Sequence, residues 1–224
     1  MDSTALRRQH RRMVKISVIT PTIRPGGLEE IRVSLQKQVF RDFEWLVDVG
    51  VSKNNDLNAS YNRLIRRAEG VLIVSIQDYI TFGPELLNEL WQAYEAEPDV
   101  AWTVDVTHTD GEKVEYDWRH YSKGNTIQFN ELELCTGAIP KHILYAVGGF
   151  DEELDTLTWG FDNVNLGLRI ALKGFTMKVH PTAQTQQFKH DLIRKHPYRD
   201  SMNSDLHNYR LDQIRRGEAE IHYL

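Results

Sequence analysis

Residues 71–79 have the sequence VLIVSIQDY, in which a run of apolar and small side chains is followed at once by a polar triplet. The run is short and largely β-branched, so it predicts a buried strand. Asp78 therefore lies just beyond the carboxyl end of a strand. Ligands of parallel α/β sheets bind in the crevice at that end, so residues 77–79 are the first candidate for a functional site.

Further strands are predicted on either side of this one, at residues 16–20, 44–48 and 101–106. The segments between the strands carry apolar residues at helical spacing. Alternating strands and helices predict an α/β domain with a mostly parallel central sheet flanked by helices. Two more polar clusters, at residues 20–24 and 48–55, would then join Asp78 at the same edge of the sheet.

The second half of the chain is less regular. Residues 108–130 are polar and aromatic with weak periodicity, which predicts irregular strands and loops. A strand over 133–140, a short helix over 141–146, a helix from Asp162 to about Gly174 and a final strand over 175–180 are expected after them. From Lys189 onward the chain is charged, and we expect a helix around Leu206 to Arg216.

The composition of the 224 residues limits the class of protein. With 41% hydrophobic and 26% charged residues, the chain can bury a core as a single domain. Its apolar runs are far shorter than the roughly 20 residues of a membrane span, and residues 1–15 lack the apolar stretch of a signal peptide. Cys135 is the single cysteine and cannot form an internal disulfide, so a cytoplasmic location is expected.

Charge is unevenly distributed along the chain. The net charge of −5 argues against dependence on a polyanion. The first 15 residues nevertheless form a basic arm that contains Arg7, Arg8, Arg11, Arg12 and Lys15. Such an arm is either a solvated tail or a contact for the phosphates of an anionic acceptor or membrane surface.

Several common nucleotide and metal motifs are missing. The sequence has no G-x-G-x-x-G after its first strand, no phosphate-binding loop of the G-x-x-x-x-G-K-[ST] type, and no Cys/His cluster with zinc spacing. The remaining candidates for functional residues are Asp78 after the third strand, the segment Trp159-Gly160-Phe161-Asp162, and His190 after the last predicted strand.

In this order and spacing, six segments resemble family 2 glycosyltransferases and their GT-A type relatives over residues 16–190. The segments are ISVITPTIRP (16–25), FEWLVDVG (43–50), LNASYNRLIRRAEGVLIVSIQDY (57–79), VGGFDEEL (147–154), WGFDNVNLGLRIALKGF (159–175) and HPTAQTQQFKH (180–190). They look like the family's opening strand, the strand that ends in a nucleobase-reading acid, the Asn-Arg helix with its D-x-D strand, the GGFDE turn, the W-G-x-E-D step and the late His.

The resemblance implies a GT-A fold and a division of the chain into four parts. These are the N-terminal arm (1–15), a nucleotide-sugar half (16–106), an acceptor half (107–190) and a C-terminal helical extension (191–224). It also implies transfer of a sugar from a nucleotide-diphosphate donor, with UDP favoured, to an acceptor hydroxyl with inversion. A divalent metal, Mn²⁺ or Mg²⁺, would neutralise the leaving diphosphate.

The resemblance and the strand ends together name the candidate residues. The donor pocket is expected to contain Thr20, Thr22, Arg24, Asp48, Asn62, Gln77 and Asp78. The metal would be held by Asp78 and His190, and the acceptor and sugar pocket would contain Gly149, Asp151 and Trp159. Asp162 is the candidate general base, since an inverting transfer needs a carboxylate to take the acceptor's proton.

Each candidate also has an ordinary structural explanation. Asp162 and Asp78 could be turn or N-cap residues, and His190 a surface or core histidine. Trp159 could be a core aromatic residue, and Gly148-Gly149 a tight turn.

Two family motifs are incomplete in this chain. Gln77-Asp78-Tyr79 keeps only the central acid of D-x-D, and Asp162-Asn163 stands where the family has Glu-Asp. The alternatives to an active transferase are therefore a weakened nucleotide-sugar or glycan-binding module, and a nucleotidyltransferase. The acceptor, whether glycan, small molecule, protein or modified nucleic acid, and a homo-oligomeric state are left open by the sequence.

Overall fold

A computed structural model of the chain describes residues 14–22, 25–49, 56–109, 114–157, 160–188 and 204–224. Arg24, Trp159, His190 and most of the basic arm lie outside the described residues. The strands are β1 (Ile16–Pro21), β2 (Phe43–Asp48), β3 (Leu72–Ile76), β4 (Ile80–Phe82), β5 (Val100–Thr109), β6 (Val114–Tyr116), β7 (Thr136–Pro140) and β8 (Thr176–Phe188).

The helices alternate with the strands in the first half and cluster in the second. They are α1 (Leu28–Gln36), α2 (Leu57–Arg67), α3 (Leu86–Ala96), α4 (Trp118–Tyr121), α5 (Lys141–Ala146), α6 (Leu154–Leu157), α7 (Asp162–Leu172) and α8 (Ser204–Arg215), with 3-10 turns at Pro25–Gly27 and Phe129–Glu131. In the described part of the chain, none of these helices has both the length and the apolar character needed to cross a bilayer.

One central sheet runs through the domain in the order β2-β1-β3-β7-β5-β8-β4, with β6 paired to β5. The first three strands are parallel, as predicted, so their carboxyl ends meet at one edge. β7 is antiparallel to both β3 and β5, which makes the sheet mixed instead of mostly parallel. The reason is that the chain doubles back after β5 through β6 and α4, without the crossover helix that a parallel pairing requires.

Each face of the sheet packs on its own apolar core, which is why β1, β3 and β7 are buried along their whole length. One core joins the sheet to α1 and α3 through Ile31, Leu35, Leu87 and Leu90. The other core joins it to α2, α5 and α7. The α/β class and the single packed domain that the sequence predicts are confirmed.

β8 is longer than the predicted strand over 175–180. It continues to Phe188 because it pairs with β5 in two registers, with a shift between Thr103 and Asp105, and then with β4. His180 fills the irregularity, where its Nδ1 accepts a hydrogen bond from the Ala183 amide at 2.9 Å. Burial lowers the pKa of His180 to about 4, so this side chain is neutral and structural.

The C-terminal residues are packed into the same body. α8 confirms the predicted helix and packs on α7 through Leu211 and Ile214 against Leu168. Farther along, the Tyr223 amide donates to the Gly148 carbonyl oxygen at 2.9 Å. The segment expected as an extension therefore closes over the Gly148-Gly149 turn.

Candidate functional site

The first part of the site forms where β1 and β3 end. Thr22, directly after β1, donates a hydrogen bond from its hydroxyl to Oδ2 of Asp78, two residues after β3. Both side chains are buried, with Asp78 only 6% exposed. Gly27 lies against the Asp78 carbonyl so closely that a Cβ at position 27 would overlap it. The loop after β1 and the 77–79 triplet therefore form one packed unit.

Asp48, at the end of β2, joins this unit. Its carbonyl oxygen accepts a hydrogen bond from the Thr22 amide at 2.9 Å. Its carboxylate Oδ2 lies 2.7 Å from Nε of Arg63, a residue of α2 that also reaches Asp56 at 3.0 Å. Asp48 is thus oriented by a cation from the helix that the resemblance places beside the nucleotide.

Two residues predicted to line the donor pocket are buried and hydrogen-bonded within the scaffold. Thr20 is fully buried in β1, and its hydroxyl accepts a hydrogen bond from Nε1 of Trp45 at 3.1 Å. Asn62 is fully buried in α2. Its side chain exchanges hydrogen bonds with the backbone of Phe150, at 2.9 and 2.8 Å, and donates to Glu152 at 2.8 Å. Asn62 anchors the 148–152 turn to α2.

The 148–152 turn, expected on the acceptor side, is held from several helices. Gly149 has a φ of +82°, and a Cβ there would meet Oδ1 of Asn62 at 2.6 Å and Leu224 at 2.7 Å. Glycine is required here by both conformation and space. Gly149 therefore packs against the scaffold and the C-terminal residues, and its role in the acceptor pocket stays a prediction.

Asp151 is likewise a structural carboxylate. It is 1% exposed and accepts hydrogen bonds from Nε and Nη2 of Arg210 at 2.8 and 3.1 Å. Asn165 of α7 donates to it at 3.1 Å. A carboxylate neutralised and enclosed in this way supports the 148–152 turn, and its place in the acceptor pocket stays a prediction.

The second part of the site is the start of α7. Phe161 precedes the helix with a left-handed φ of 63°, so Asp162 is the first helical residue and not the N-cap. The pKa of Asp162 is raised to about 6, mainly by burial and in smaller part by the charges of Glu133 and Asp155. A carboxylate with that pKa is poised to exchange a proton near neutral pH.

Two residues beside Asp162 were not singled out by the sequence. Glu133 lies before β7, and its Oε2 accepts a hydrogen bond from Nδ2 of Asn163 at 3.2 Å. Asp155 of α6 accepts from the Asn58 and Ala59 amides, each at 2.9 Å, and so caps α2. Burial raises the pKa of Asp155 to about 6 and also raises the pKa of Glu133. No local pattern distinguishes these acids in the sequence, because only the tertiary fold brings them to α7.

Cys135 lies next to this acidic region. Its Sγ is 3.0 Å from Nη1 of Arg119, and burial raises the pKa of the thiol. A buried thiol with a raised pKa is a poor nucleophile. Cys135 therefore packs beside the site without supplying chemistry.

The predicted metal ligands can be examined only in part, since His190 lies outside the described residues. Within the residues that the structure describes, no group of three His, Cys, Asp or Glu side chains is arranged to hold a metal ion. Asp78 is buried at the crevice as a metal ligand would be, and Mg²⁺ commonly takes one or two protein carboxylates together with substrate phosphates. Asp78 fits one such ligand position.

The fold is shared with solved glycosyltransferase structures. S. aureus TarS 1-349 in complex with UDP-GlcNAc superposes with a TM-score of 0.64 and 15% identity over 89% of this chain and 65% of that chain. A second structure of S. aureus TarS 1-349 superposes with a TM-score of 0.61 and 17% identity over 78% of this chain and 60% of that chain. GalNAc-T7 with UDP, GalNAc and Mn²⁺ superposes with a TM-score of 0.59 and 11% identity over 80% of this chain and 45% of that chain.

These similarities establish a GT-A type fold. The present chain spans about 60% of the length of the TarS 1-349 chain. No protein-family model matches the sequence, and no curated protein matches it.

Proposed function

We propose that the chain is a glycosyltransferase that moves a sugar from a UDP-sugar to an acceptor hydroxyl with inversion, as a degenerate relative of family 2. The observation that carries the proposal is the junction of Thr22, Asp48 and Asp78 at the carboxyl ends of three parallel strands. Ligands of α/β sheets bind at this position, and proteins with the same fold were crystallised with UDP or UDP-GlcNAc.

The donor would lie over this junction. Asp48 would accept a hydrogen bond from the uracil N–H, with Arg63 fixing the orientation of its carboxylate. Thr22, Arg24 and Gln77 would contact the remainder of the nucleotide. A divalent cation such as Mn²⁺, held by Asp78 and His190, would supply charge neutralisation of the diphosphate when bound.

The acceptor would react beside the start of α7. Asp162 takes the proton of the acceptor hydroxyl, and the acceptor oxygen forms a bond to the anomeric carbon. The bond from that carbon to the diphosphate oxygen breaks, and its electron pair leaves with UDP. Attack opposite the leaving group inverts the configuration. Trp159 would shield this region from water.

A second candidate function is a nucleotide-sugar or glycan-binding module. It is favoured by the amides Gln77 and Asn163, which stand where the resembling family has acids. Such a module would bind UDP-sugars without releasing UDP from them.

The experiment that separates the two functions uses a panel of UDP-sugars, with and without Mn²⁺. A bound donor raises the melting temperature by mass action, and released UDP reports donor cleavage. We expect both signals with one donor. UDP release is also measured in the presence of a panel of alcohols and glycans as acceptors. If a donor raises the melting temperature but no UDP is released with or without these acceptors, the binding module is favoured. The cytoplasmic location stays a prediction.

A further inference from the structure

Glu133 is fixed at both its backbone and its side chain. Its carbonyl oxygen accepts a hydrogen bond from the Thr103 hydroxyl at 2.6 Å, which ties residue 133 to β5. Its Oε2 accepts the hydrogen bond from Nδ2 of Asn163 at 3.2 Å. The first turn of α7 is thereby anchored to the central sheet through one carboxylate.

Within the described residues, the side chain of Asn163 has one unsatisfied polar atom. Its Oδ1 is buried and makes no hydrogen bond within the part of the chain that the structure describes. The residue stands between Asp162 and the rest of α7, after the left-handed turn at Phe161. The Glu133 contact is therefore the side-chain hydrogen bond that orients Asn163, the residue next to the Asp162 carboxylate.

We propose that Glu133 is a positioning residue of the transfer reaction, which holds Asn163 and through it places Asp162 against the acceptor. The proposal rests on the function proposed above. Asn163 stands where the resembling family has an acid. Under this proposal a second carboxylate is still present beside Asp162, but it comes from Glu133, in the segment before β7, and not from α7.

The charge of Glu133 has a second effect on Asp162. The groups that face Asp162 are Glu133, Asp155 of α6 and Tyr61 of α2. Glu133 in turn faces Arg119, Asp117 and Tyr79, and Arg119 partly offsets its charge. A like charge nearby favours the protonated form of a carboxyl group, so the pKa of Asp162 should fall when Glu133 becomes neutral.

The test compares Glu133→Gln and Glu133→Ala with the wild-type chain by UDP release from the donor identified above. Glu133→Gln keeps an acceptor for Asn163 but removes the charge. We expect kcat to fall only a few-fold, and the acidic limb of the pH profile of kcat to move to lower pH. Glu133→Ala removes both, and we expect about a tenfold or larger loss in kcat with an unchanged donor KM.

Two further variants make the result specific. Glu133→Gln combined with Asn163→Asp reverses the direction of the hydrogen bond, because the glutamine amide can donate to the new carboxylate. The kcat of this double variant should therefore be higher than the kcat of Glu133→Ala. Glu95→Gln, on the exposed side of α3, is the matched control and should behave as wild type. Thermal unfolding and UDP binding of each variant check that it folds.

The outcomes distinguish this proposal from the proposed function. A wild-type chain that releases no UDP from any donor overturns both. An active chain in which Glu133→Ala keeps full kcat and the same pH profile overturns the positioning role alone. Loss in Glu133→Gln as large as in Asp162→Asn also overturns it, since Glu133 would then be the base itself.

Discussion

The Thr22 hydroxyl donates a hydrogen bond to the Asp78 carboxylate, although 56 positions separate the two residues in the chain. The contact exists because β1 and β3 are parallel neighbours whose carboxyl ends lie side by side. It joins the loop expected to meet the nucleotide with the carboxylate expected to meet the metal. Changes at either residue should therefore affect donor binding through the other.

Asp48→Ala is expected to weaken UDP binding by about 1–3 kcal/mol, the cost of leaving a buried polar partner unpaired. Part of this loss would come from Arg63, which loses its contact with the Asp48 carboxylate. Isothermal titration with UDP measures the effect, and Asp99→Ala, at an exposed ion pair with His142, serves as control. Equal affinities for both variants would remove Asp48 from the site.

Asp78→Asn and His190→Ala should each reduce the part of UDP binding that depends on added Mn²⁺. One carboxylate and one imidazole supply less negative charge to a hard cation than a complete acidic motif, so the metal dependence should be modest. Titration of UDP with Mn²⁺ and with EDTA measures it. Identical binding under both conditions would show that the metal role is wrong and that Arg or Lys side chains carry the diphosphate.

Asp162→Asn should lower turnover by about 10²–10⁴-fold, as loss of a general base does, while sparing UDP binding. The informative companion is Asn163→Asp, which places a new carboxylate next to Glu133. Their repulsion should be relieved in the combined change with Glu133→Gln. Near-complete turnover in Asp162→Asn would place the base elsewhere.

The same Asp162→Asn change should raise stability at alkaline pH. The folded-state pKa of about 6 lies above the ordinary value of 3.8. A carboxyl group raised in this way contributes stability that is fully present below the unfolded value and is lost as the pH rises through about 6. The melting temperatures of the two chains should therefore differ most at pH 8, where the variant is higher, and should converge toward pH 4, where the carboxyl group becomes protonated in both states. A melting-temperature difference that does not change with pH would contradict the buried carboxylate.

Asp151→Ala should destabilise the fold by about 3–5 kcal/mol, because it leaves the Arg210 guanidinium without its buried partner. The matched control is Asp212→Ala on α8, the helix of Arg210. The ion pair of Asp212 with Arg215 is exposed and is expected to be worth about 0–1 kcal/mol. Denaturant unfolding at neutral pH measures both. Since Asp151 lies in the scaffold, the donor affinity of the folded protein should be unchanged, and a selective loss of activity without loss of stability would return Asp151 to the site.

The sequence was most informative where local pattern and topology agree. The strands over 16–20, 44–48 and 71–76 are predicted by short apolar runs, and the helices between them by apolar spacing. Parallel order then brings Thr22, Asp48 and Asp78 together, since each follows a strand end. For the same reason the start of α7 at Asp162 and the helix α8 were predictable.

Elsewhere the same reasoning did not identify the contacts that the fold makes. Asn62 and Asp151 have the residue types of binding sites, yet both are buried and satisfied by partners 88 and 59 positions away. The antiparallel entry of β7 and the extension of β8 to Phe188 depend on pairings between distant strands. Local periodicity contains no information about such partners.

By itself, the sequence determined the α/β class, the strand ends that carry polar residues, and the resemblance to GT-A type enzymes. The tertiary structure alone decided which of those polar residues remain at the crevice and which hold the scaffold. The physical reason is that hydrogen bonding and burial depend on what lies across the fold. Glu133 becomes a neighbour of Asp162 because Thr103 of β5 and Asn163 of α7 both donate hydrogen bonds to it, and no spacing along the chain encodes those contacts.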